Sequence, residues 1–78
     1  MNGLRVYTHQ NRPDTTCAVF YTRRAGGPYY RWSYEEFRGQ WLGSRVQPGD
    51  LTATELVAAP WKVIPGALKS ILDQHYVD

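Results

Sequence analysis

Hydrophobic and polar positions alternate from the start of the chain. Over residues 4–9, Leu4, Val6 and Thr8 share one side and Arg5, Tyr7 and His9 the other. That period of two is the mark of a half-buried strand. Residues 10–15 are polar around Pro13-Asp14 and read as a turn or loop. Residues 16–24 are rich in β-branched and aromatic side chains and predict a second strand. Cys17, Val19 and Tyr21 fall on one face of it, Ala18, Phe20 and Thr22 on the other. Ala25-Gly26-Gly27-Pro28 is a turn signal, because glycine tolerates positive φ and proline fixes the exit. Residues 29–34 alternate again, with Tyr30, Trp32 and Tyr34 opposite Tyr29, Arg31 and Ser33. Residues 16–34 are therefore predicted to form a hairpin.

Two readings compete for residues 33–46. Ser33-Tyr34-Glu35-Glu36 matches a helix capping box, and Tyr34, Phe37, Arg38 and Trp41 follow at helical spacing. Gly39 and Gly43 oppose that helix, each costing about 1 kcal/mol relative to alanine in a helix interior. The competing reading, which is favoured, makes residues 35–39 a turn and residues 40–46 a further strand of a meander.

Gln47-Pro48-Gly49-Asp50 breaks the pattern. Beyond it, Thr52-Ala53-Thr54-Glu55 forms another capping box and predicts a short helix over residues 53–59, ended by Pro60. Pro65 suits the first turn of a second helix. Ile64, Leu68, Ile71, Leu72 and His75 then form one apolar stripe at helical spacing. The expected fold is α+β: a small antiparallel β-meander of three to four strands, with two C-terminal helices packed on one face. It is a single domain over residues 1–78, mostly β in 1–46 and helical in 51–78. A chain this small needs its large aromatics inside, so Tyr30, Trp32 and Tyr34 are the expected core face.

Composition narrows the function classes. Seventy-eight residues allow one domain, with 42% hydrophobic and 21% charged residues, as in ordinary globular domains. One cysteine permits no internal disulfide and no zinc site built from several cysteines. No apolar run is long enough to span a membrane as a helix, and the first residues lack the apolar core of a signal peptide. The cytoplasm is the expected location.

Charge is unevenly spread. Residues 1–46 hold all seven arginines against three acids, a net of +4, together with nine of the eleven aromatics. Residues 47–78 hold two lysines against four acids, a net of −2. Arginine stacks on rings and grips carboxylate or phosphate with a planar fork. Catalytic and metal chemistry find no constellation. His9, Cys17 and His75 lie at no recognised ligand spacing, Cys17 sits within a predicted strand, and no serine lies in a nucleophile elbow. The glycines at 26 and 27 join strands and lack a P-loop's lysine. No enzyme, cofactor or metal is expected.

Two features suggest binding. Arg23, Arg24, Tyr29 and Arg31 interleave guanidinium groups and rings near the hairpin tip. Trp61, bracketed by Pro60 and Pro65, either anchors a partner or closes the core. The expectation is a non-catalytic interaction protein that binds a protein partner with an acidic surface through the arginine- and tyrosine-rich hairpin. Single-stranded nucleic acid is the alternative occupant, and a sheet edge could support a homodimer.

Overall fold

The alternating segments pair with one another because each buries only one side. In the computed structural model, which describes residues 3–9 and 19–75, β1 is Leu4–His9, β2 Val19–Arg24, β3 Tyr30–Glu35 and β4 Gln40–Arg45. A short β5, Leu56–Ala58, adds to β1, and the antiparallel sheet runs β4-β3-β2-β1-β5. The helix α1 spans Gly66–His75. The expected loop over residues 10–15, the first part of the expected second strand, with Cys17, and the side chain of His75 lie outside the described residues.

Residues 35–46 follow the strand reading. The chain reverses after Glu35, with the Gly39 N–H donating to the Glu35 carbonyl at 2.8 Å. Gly39 has φ +63°, a conformation that side chains other than glycine rarely adopt. β4 then returns along β3, pairing Glu35 with Gln40 and Tyr30 with Arg45.

The C-terminal part departs from expectation. One α-helix is present among the described residues, not two. The residues predicted as a helix over 53–59 form a 3-10 turn, Ala53–Glu55, followed by β5. The capping residues do engage, since the Thr52 N–H donates to Glu55 Oε2 at 3.4 Å. A helix of seven residues barred by Pro60 is too short to offset its nucleation cost. Leu56 and Val57 instead meet the free edge of β1, with Leu56 opposite His9 and Ala58 opposite Tyr7. The half expected to be wholly helical therefore contributes a strand, and the meander gains a fifth strand from beyond residue 50.

Val6, Phe20 and Trp32 on one face of the sheet meet Ile64, Leu68 and Leu72 in the core. Pro65 caps α1, its carbonyl accepting from the Lys69 N–H at 2.9 Å. Of the expected aromatic triad, Trp32 is buried, Tyr30 packs against the core, and Tyr34 is exposed at 38%, its ring tilted against Trp41. Thr22 is the one buried polar side chain among the described residues, and its Oγ1 accepts from Trp32 Nε1–H at 2.9 Å. Thr22→Val keeps the shape but leaves the indole N–H without this acceptor. It is expected to cost about 1–2 kcal/mol in urea unfolding.

Candidate functional site

Strand register decides which arginines meet. On the face away from α1, Arg5 lies opposite Arg23, Tyr7 opposite Tyr21, Tyr21 opposite Arg31, and Arg31 opposite Ser44. Arg5, Arg23 and Arg31 thus share a face with Tyr7, Tyr21 and Tyr29. Arg24 follows Arg23 in β2, so its side chain leaves from the other face, beside Leu4. The expected cluster of Arg23, Arg24 and Arg31 is therefore divided. Trp61 stands elsewhere again, in a 3-10 turn beside α1, where Lys69 Nζ lies 5.7 Å from its ring centroid. Trp61 remains 40% exposed.

The tip arginine is already engaged. Arg23 Nε donates to the Gly27 carbonyl at 2.9 Å, and its Nη1 donates to Tyr29 Oη at 3.2 Å. Its guanidinium carbon also lies 4.8 Å from the Tyr29 ring centroid. Tyr7 meets Tyr29 edge-on at 5.9 Å. These contacts turn Arg23 into a brace for the Arg24–Gly27 turn and occupy one face of Tyr29.

Arg31 differs. It is exposed in the second strand from the edge, and its side chain makes no hydrogen bond or ion pair with any described residue. It lines a cleft of about 270 Å³ together with Tyr21, Ser44, Arg45, Gln47, Asp50 and Leu51. The connection from β4 to β5 forms one wall. It leaves β4 beside Tyr30 and must reach Leu56 beside His9, at the opposite edge and opposite end of the sheet. Its path brings Gln47, Asp50 and Leu51 over Tyr21 and Arg31. The face expected to be open is therefore crossed by a segment, and the opening left beside it holds Arg31 and Asp50, while Arg45 at its rim sends its side chain to the α1 side, opposite Tyr30.

Arg5, Tyr7 and Tyr21 belong to this surface, and strand alternation alone could have grouped them. The Asp50 wall follows from the path of residues 46–55, for which the sequence carries no periodic signal. Among the described residues no group of three or more histidine, cysteine or acidic side chains is placed to hold a metal ion. No described helix is long and apolar enough to cross a membrane. No protein-family model, curated protein or solved structure matches the chain.

Proposed function

We propose that this chain is a non-catalytic, cytoplasmic binding module that takes an acidic segment of a protein partner into the cleft beside Arg31. The observation that carries the proposal is the exposed Arg31, whose side chain has no ion pair with any described residue, in a cleft lined also by the hydroxyl-bearing Tyr21 and Ser44. Arg5 directly opposite Arg23 supports it, because like charges facing across a strand pair destabilise a sheet and favour an external anion. Tyr21 and Ser44 flank Arg31 and supply hydroxyl groups for a carboxylate.

Single-stranded nucleic acid fits the same surface less well. Base stacking needs open ring faces. Tyr29 has one face against Arg23 and an edge contact with Tyr7, and the segment carrying Leu51 interrupts the row of tyrosines.

The test is fluorescence anisotropy with a labelled acidic octapeptide and, separately, a labelled mixed-sequence oligonucleotide, each at low and moderate salt. Saturable peptide binding is expected. Arg31→Glu is expected to weaken it by at least about tenfold, the loss of one charge-assisted contact. Tighter, steeply salt-dependent binding of the oligonucleotide would replace this reading with the nucleic-acid one. Binding of neither probe would sink both.

A further inference from the structure

The outer edge of β4 is unpaired among the described residues, because β4 is terminal in the sheet. Its backbone groups can be assigned a direction. The Val46 N–H donates to the Tyr29 carbonyl at 2.9 Å, and the β3–β4 register continues from Tyr30 opposite Arg45 to Glu35 opposite Gln40. Antiparallel ladders alternate. Gln40, Leu42 and Ser44 therefore direct their N–H and C=O toward β3, and Trp41, Gly43 and Arg45 direct theirs outward. The strand is six residues long, and its first five carry neither a charge nor a proline. Natural edges normally carry such protection. The opposite edge, β5, has only three residues.

We propose that β4 pairs antiparallel with β4 of a second copy of this chain, joining the two five-stranded sheets into one continuous sheet. A two-fold axis perpendicular to the sheet keeps like faces together and gives every outward donor an acceptor when it passes through Gly43. Gly43 then opposes Gly43 of the second copy, and Trp41 opposes its Arg45. The cross-interface pairs are complementary. Two arginines meet two indole rings, an attractive cation–π arrangement, and Leu42 meets Ser44, with no like charges opposed. Arg45 makes no hydrogen bond or ion pair with any described residue, so it is free for this contact. Pairing β4 with β5 of another copy would match six residues with three and would generate an open chain of copies, whereas the two-fold pairing closes. A six-residue edge buries a modest area, below ~1,200 Å², in the class of weak associations.

The test is sedimentation of the full chain from ~1 µM to ~1 mM, a range suited to weak association, with amide hydrogen exchange read by NMR at both ends. The expected result is a mass rising from 9.0 kDa toward twice that value. Protection of the Trp41, Gly43 and Arg45 amides should rise with it. Arg45→Pro deletes an outward N–H while leaving the bonds to β3 intact, and should yield a folded monomer across the range. A monomeric wild type, or a dimer that survives in folded Arg45→Pro, would overturn the proposal. Where Arg45→Pro fails to fold, the wild-type amides decide: unchanged exchange at those three positions overturns it, and concentration-dependent protection upholds it.

Discussion

Replacing Leu68 with alanine is expected to lower the unfolding free energy by about 3 kcal/mol, within the usual range for a buried leucine. Leu68 and Leu72 are both 0% exposed and are the residues through which α1 meets the sheet. Truncation removes apolar contact with Val6, Phe20 and Trp32 and leaves a cavity that a single helix over a rigid sheet cannot close. A domain of this length has roughly 4–12 kcal/mol in total, so one substitution removes a quarter or more of it. The melting temperature should fall by about 15 °C, given ~4–8 °C per kcal/mol at this size. Ser70→Ala is the control on the same helix. Ser70 is exposed and donates only to the Gly66 carbonyl at 3.2 Å, so its loss should stay within ~0.5 kcal/mol. Equal effects from the two variants would refute the assignment of α1 as the lid of the core.

Gly43→Ala is expected to cost about 2–3 kcal/mol, in the upper part of the range for overpacking a core. A Cβ at this position would lie 2.5, 2.7 and 2.8 Å from three atoms of the Trp32 ring. The ring has little room to retreat, being 5% exposed and tied by its N–H to Thr22. Alanine elsewhere in a strand would gain about 0.5–1 kcal/mol over glycine, and the clash outweighs that gain. Urea unfolding checks the value. Pairing Gly43→Ala with Trp32→Phe, which shortens the ring, should recover more than ~1 kcal/mol of coupling. Purely additive losses would show that the indole does not set the requirement for glycine.

Period-two alternation made β1, β2 and β3 legible, along with the division of their side chains between the two faces, although Tyr34, expected in the core, lies exposed. The stripe from Ile64 to Leu72 likewise announced α1. The capping residues Thr52 and Glu55 behaved as their pattern suggests, yet the following residues paired with β1. A free sheet edge is a tertiary opportunity, absent from local propensity, and it outcompetes a helix of two turns. Gly43 was counted against a helix, rightly, but its actual constraint is a ring that arrives from the neighbouring strand. The candidate site was legible as an arginine–tyrosine face. Its division between Arg23 and Arg24 follows from alternation, whereas the cleft at Arg31 depends on where an irregular segment crosses the sheet.

The placement of the tryptophans has an optical consequence. Trp32 and Trp41 leave the sheet on the α1 side, and Trp61 sits beside α1. The near-ultraviolet emission of this protein therefore originates behind the sheet from Arg31. A carboxylate settling in the cleft would leave that emission nearly unchanged, whereas two copies meeting at β4 would bring a guanidinium onto the Trp41 indole and shift it. Intrinsic fluorescence can thus tell the two events apart in one cuvette, and Tyr21→Trp would give the silent face an emitter of its own.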